Sequence, residues 1–175
     1  MHQAVQLVAI VLDISDKDTR NMPRMKLSSK GRYAIQAMFD LAFHGEGSAL
    51  QVKEISLRQQ IPPRFLEQVF QDLRKAGLVR SKRGPRGGYQ LASPPAQIRL
   101  GDIIRAAQGP LAWVLEDDEA SKHKTTGVAI MQHVLRELGE RIDKCLDSVT
   151  LADMCQEAHD RGLSQIPSTP YVYSI

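Results

Sequence analysis

Between Ser28 and Leu91 apolar positions recur at helical spacing three times, then fall into two short runs around a basic, glycine-rich turn. Tyr33, Ala34, Ala37, Met38 and Leu41 share one face, which predicts a helix from Ser28 or Ser29 to His44, ended by Gly45. A serine at its start can accept from the orphan N–H groups of the first turn. Gln51–Gln59 predicts a short second helix with Val52, Ile55 and Leu57 turned inward. After a turn over Gln60–Pro62, a proline at the first helical position opens a third helix that runs to Ala76. Its inward stripe is Phe65, Leu66, Val69, Phe70 and Leu73, and Gly77 stops it. Val79–Ser81 and Tyr89–Leu91 then predict the strands of a hairpin. Gly84, Gly87 and Gly88 permit positive φ at its tip, and Pro85 stiffens it.

Two short helices around a tight turn, followed by a basic hairpin, form the pattern of a winged helix-turn-helix. The fold class expected is mainly α with a small β-hairpin wing, extended by a long C-terminal helix. Ala92–Gln97 is a connector, and Leu100–Gln108 predicts a helix with Leu100, Ile103, Ile104 and Ala107 inward. Glu116–Gly127 has no periodicity and is expected to be an exposed loop. From Val128 to Asp147 the longest helix carries Met131, Val134, Leu135, Leu138, Ile142, Cys145 and Leu146 on one stripe. That stripe needs a covering surface. The same helix of a second subunit is the simplest, and the chain's own head is the alternative. Thr150 and Asp153 are spaced to cap a last short helix through about Ala158.

This divides the chain into a non-core extension (residues 1–24), a winged helix-turn-helix (25–110), a loop at the position for an effector or sensor (111–127), a pairing helix with its short terminal helix (128–160) and a tail (161–175). In the extension, Ala4–Leu12 is apolar, but no basic residue precedes it and Asp13, Asp16 and Asp18 follow. A signal peptide is not expected.

Charge sharpens the division. Residues 25–110 hold 14 Lys and Arg against 6 Asp and Glu, whereas residues 111–175 hold 6 against 11. A basic head on an acidic remainder suits a polyanion-binding module, although a solvated basic face would look the same. Two cysteines make no disulfide framework, and no stretch has the length of a membrane span, so a reducing cytoplasm is expected. The five histidines are scattered, and there is no nucleophilic triad, zinc-ligand spacing or GxxxxGK[ST] loop, so an enzyme is not expected.

The polar face of the third helix carries Arg64, Glu67, Gln68 and Gln71. Arginine and glutamine can pair with guanine and adenine edges, and glutamate can accept from cytosine. Taken singly, each is nearly as well explained as a solvated surface residue. The set beside a basic wing favours base reading. Lys82, Arg83 and Arg86 stand at or near the wing tip, where an arginine can enter a narrow minor groove. Lys30 and Arg32, at the first helix's N-terminus, read as phosphate clamps or as ordinary surface charges. The loop contains Asp117, Asp118, Glu119 and His123, and its carboxylates could hold a hard cation, but a solvated acidic loop is the simpler reading. Cys145 and Cys155 are candidates for a redox pair, though Cys145, on the apolar stripe, reads more simply as a small buried hydrophobe.

Three segments carry a more specific signal: MKLSSKGRYAIQAMFDLA at Met25–Ala42, FLEQVFQDLRKAGLVRSKRGPRGGYQL at Phe65–Leu91, and LGDIIRAAQGP. Together they resemble the Rrf-two-type (IscR/NsrR/CymR-like) winged helix-turn-helix transcriptional regulators over roughly residues 25–160. The resemblance implies a homodimeric repressor or activator that binds double-stranded DNA at an imperfect palindrome. It places Glu67 and Gln68 at base-reading positions and Arg83 at a minor-groove position. Arg64 stands where the iron–sulfur regulator has a small polar residue, which implies a different operator preference. Cluster-binding members carry three cysteines in the loop before the pairing helix. Here that loop has none, so no iron–sulfur cluster is expected, and the signal is left to a small-molecule or metabolic-enzyme effector. A protein that regulates by docking on such an enzyme, without DNA recognition of its own, is the alternative.

Overall fold

The computed structural model describes residues 27–84, 87–109 and 126–165. The expectations for residues 1–24, for most of the 111–127 loop, for the end of the tail and for Arg86 lie outside these residues. The described chain runs α1 (Ser29–Gly45), α2 (Val52–Gln59), α3 (Pro63–Lys75), β1 (Val79–Lys82), β2 (Gly88–Leu91), a 3-10 turn (Pro95–Gln97), α4 (Leu100–Gln108), α5 (Thr126–Asp147) and α6 (Leu151–Asp160).

Local chemistry explains how four of the helices begin. Ser28 Oγ accepts from the Gly31 N–H at 3.0 Å and caps α1. Ser28 also donates through its N–H and its hydroxyl to Gln108 Oε1, which ties the start of α1 to the end of α4. The Gln51 N–H at the start of α2 donates to the Glu54 carboxylate, and α3 begins on Pro63. At α6 the expected reciprocal cap is present: the Asp153 N–H donates to Thr150 Oγ1, and the Thr150 N–H donates to Asp153 Oδ2.

The core lies where α1 crosses α3 and α4. Ala34, Met38, Leu66, Phe70, Leu73, Ile103 and Ile104 are each fully buried there. Two residues expected in it are not. Leu57 is 67% exposed, because two helical steps of about 100° each carry it away from the inward-facing Ile55. Phe65 is 53% exposed. The buried stripe of α3 is Leu66, Val69, Phe70 and Leu73, and Phe65 falls one step outside it, with its ring against Tyr33 of α1.

Asp40 is the buried charge of the head, with no exposed surface. Arg58 Nε donates to both its oxygens at 3.1 Å, Arg58 Nη2 donates at 2.7 Å and Gln59 Nε2 at 2.8 Å. A buried carboxylate is tolerated only when paired and hydrogen-bonded in this way, and the set fixes α1 against α2.

The stripe of α5 has two fates. Leu146 is buried in the head core, with Ile142 and Cys145 packed against it. Further toward the N-terminus, Met131, Val134 and Leu138 are 44%, 55% and 52% exposed, and Leu135 is half-buried. Packing on the chain's own head therefore accounts only for the last turns of this helix. No helix among the described residues is long and apolar enough to cross a membrane.

Candidate nucleic-acid interface

Because Leu66, Val69, Phe70 and Leu73 turn one side of α3 into the core, the opposite side faces outward. Arg64, Glu67, Gln68 and Gln71 are all exposed on it. Their side chains are four hydrogen-bonding groups of three kinds (one guanidinium, one carboxylate and two amides) spread over two turns. The first turn of α3 carries no acidic residue, and its last turn carries Arg74 and Lys75.

β1 and β2 pair antiparallel, with Val79 opposite Leu91, Arg80 opposite Gln90, Ser81 opposite Tyr89 and Lys82 opposite Gly88. Each strand is one residue longer than the periodicity predicts. Leu50 adds a third, one-residue rung: its N–H donates to the Tyr89 carbonyl and its carbonyl accepts from the Tyr89 N–H, both at 2.9 Å. Val79 is buried, while Arg80, Lys82 and Arg83 are exposed to solvent.

The wing is keyed to α3 by a stack of the Phe70 and Tyr89 rings, 4.3 Å apart and 8° from parallel. Lys30, read as a phosphate clamp or as an ordinary surface charge, lies beside a carboxylate: its Nζ is 2.5 Å from Asp72 of α3. Arg32, two residues on, is exposed. Sequence reasoning did not single out Asp40, Asp72 or Tyr89. For Asp40 one signal existed, an acid standing among the apolar positions of the first stripe.

The remaining candidates lie elsewhere. Cys145 and Cys155 are free, partly buried thiols of α5 and α6, and burial pushes the Cys155 thiol up to about 11. A thiol held in its protonated form is a poor attacking group for disulfide exchange. Among the described residues no group of His, Cys, Asp and Glu side chains is placed to hold a metal ion.

Comparison with known proteins agrees with this geometry. The IscR regulator of Vibrio atlanticus is 41% identical over 139 residues, which cover 76% of each chain. The solved structure of IscR from T. potens superposes with a TM-score of 0.64 at 41% identity, covering 81% of this chain and 94% of that one. CymR, the global cysteine regulator of B. subtilis, superposes at 0.58 with 40% identity, over 76% and 98% of the two chains. The Rrf2 family model, described as an iron-dependent transcriptional regulator, matches residues 27–157. With its helix-turn-helix, its keyed wing and this match over most of its length, the chain belongs to the Rrf2 family of DNA-binding transcription regulators.

Proposed function

We propose that the protein acts as a homodimer on a palindromic operator and does so without an iron–sulfur cluster. The observation that carries this reading is the exposed polar face of α3, on a helix whose buried side is stacked on a strand of the basic wing. Arg64, Glu67, Gln68 and Gln71 face outward there, while Phe70 holds the wing strand against the buried side of the same helix. In this reading the four α3 side chains meet base edges in the major groove. Arg83, with Lys82 and Arg86, follows the adjacent backbone into the minor groove, and Arg32 holds a phosphate at the start of α1.

A palindrome requires two heads. The exposed stripe of Met131, Val134 and Leu138 along α5 supports a two-fold partner, since a self-complementary apolar stripe is the usual basis of such pairing. Two heads related in this way read half-sites about one DNA turn apart, ~34–36 Å.

The cluster-free reading rests on donor chemistry. Iron–sulfur clusters are held mainly by thiolates, and this chain has two cysteines, Cys145 and Cys155, both beyond the loop that precedes α5. Neither the number nor the placement fits the family's ligand set.

Anaerobic purification with an absorbance spectrum and iron analysis, followed by selection of bound genomic fragments on the same sample, tests the whole reading. A colourless dimer that enriches an inverted repeat is the expected result. Glu67→Ala is expected to shift the selected sequence, and Arg83→Ala to weaken binding. A stoichiometric iron chromophore would overturn the cluster-free reading. Enrichment of no fragment, with co-purification of an enzyme in fixed ratio, would replace DNA recognition by docking on that enzyme.

A further inference from the structure

Asp72 lies one residue after Gln71 and four after Gln68, at the edge of the α3 face assigned to DNA. Two ammonium groups from different elements converge on it. Lys30 Nζ, from the first turn of α1, stands 2.5 Å from one oxygen, and Lys75 Nζ, from the last turn of α3, stands 3.6 Å from the other. The hydrogen bond from Lys30, with smaller contributions from both lysine charges, holds the carboxyl below the usual carboxylate range, so it is ionised at neutral pH. The side chains of Lys30 and Lys75 remain 46% and 76% exposed, whereas that of Asp72 is 24% exposed.

We propose that Asp72 limits the sequence-independent part of DNA binding, by engaging Lys30 and Lys75 that would otherwise neutralise backbone phosphates. This rests on α3 and α1 facing DNA. A solvent-accessible ion pair is weak, so a phosphate competes with Asp72 on nearly equal terms. Transfer of a lysine to a phosphate would leave the carboxylate unneutralised beside a polyanion, and that repulsion opposes the transfer. Glu67 is the other acid of α3 and sits on the opposite edge of the exposed face, where it is assigned to a base edge. The two acids thus have separable effects, one on which sequence is chosen and one on how strongly any duplex is held.

The test is a salt titration of duplex binding by the full chain, using one duplex of arbitrary sequence, for wild type, Asp72→Asn, Lys30→Gln and the double variant. Each phosphate newly neutralised steepens the slope of log affinity against log salt by about 0.9. Asp72→Asn is expected to bind several-fold tighter at low salt, with a slope steeper by about 0.9 for each lysine released. Lys30→Gln alone is expected to leave the slope nearly unchanged, yet to remove the Lys30 share of the gain, about 0.9 of slope, in the double variant. An unchanged or shallower slope in Asp72→Asn, or an equal effect of Lys30→Gln in both backgrounds, would overturn the inference while leaving DNA binding intact. Failure of the wild-type chain to bind any duplex would overturn the DNA-binding reading and this inference together.

Discussion

The rings of Phe70 and Tyr89 stack face to face, 4.3 Å between centroids. Phe70 belongs to α3 and is fully buried, while Tyr89 sits in the wing and shares both main-chain hydrogen bonds with Leu50. One contact therefore joins α3, the wing and the strand residue that follows α1. Phe70→Ala removes a large buried ring and is expected to cost about 3–5 kcal/mol in urea unfolding. Phe70→Leu keeps most of the apolar volume and is expected to cost less than about 1.5 kcal/mol. Its signature is faster amide exchange at Tyr89 with α3 still helical, and equal protection at Tyr89 in both proteins would argue against the keying role.

Gly88 marks the closest approach in the wing. Its φ is +153°, and a Cβ placed there would run into the Leu50 carbonyl oxygen, the atom that accepts from the Tyr89 N–H. Gly88→Ala is expected to break that rung and to destabilise the head by more than about 1 kcal/mol. Duplex binding is expected to weaken, because Lys82 and Arg83 lose their fixed direction relative to α3. Thermal melting and anisotropy titration check the two effects separately.

The buried side of each helix was legible because it depends on spacing within one element. Leu66, Val69, Phe70 and Leu73 repeat at three and four residues, and their complement is the polar face that carries Arg64, Glu67, Gln68 and Gln71. Thr150 and Asp153 are likewise a local signal. Leu57 and Phe65 depart from the expectation for a physical reason: apolar character alone does not say which of two apolar residues one or two helical steps of about 100° apart, Phe65 and Leu66 or Ile55 and Leu57, lies on the inward side. Lys30 with Asp72, Arg58 with Asp40, and Arg105 with Asp147 were not legible at all. Those partners lie 18 to 42 residues apart and are set by how the helices cross.

Burial of Cys155 gives stability a dependence on pH. Its thiol is raised from 9.0 to about 11, so the folded state binds the proton more tightly than the unfolded chain does. The contribution is fully present below the unfolded value and is lost as pH rises through the folded one. Relative to Cys155→Ala, the wild-type protein is expected to lose stability between pH 9 and 11. Near pH 8, iodoacetamide is expected to label Cys155 far more slowly in the native protein than in urea. Comparable labelling rates in the two states would show that the thiol is not held protonated.

Along α5 the apolar stripe changes character with its surroundings, and that change separates pairing from folding. Leu146 is 2% exposed in the head core, whereas Val134 and Leu138, on the same stripe, are 55% and 52% exposed. A carboxylate introduced at Leu146 is forced into an apolar core and is expected to unfold the head, because an unpaired buried charge has no compensating partner. The same carboxylate at Leu138, or at Val134, meets solvent in a lone chain and is expected to leave the melting of an isolated head nearly unchanged. In a dimer paired through this face it would be desolvated beside its own symmetry mate, and like charges held together in a buried interface repel. Leu138→Asp is therefore expected to sediment as a monomer with native helicity. On a palindrome, where one dimer engages two half-sites, it is expected to lose about 10²-fold or more in affinity. On a single half-site it is expected to bind nearly as well as wild type, since α3 and the wing are untouched. If Leu138→Asp sedimented as a dimer, the pairing surface would have to be sought off this stripe.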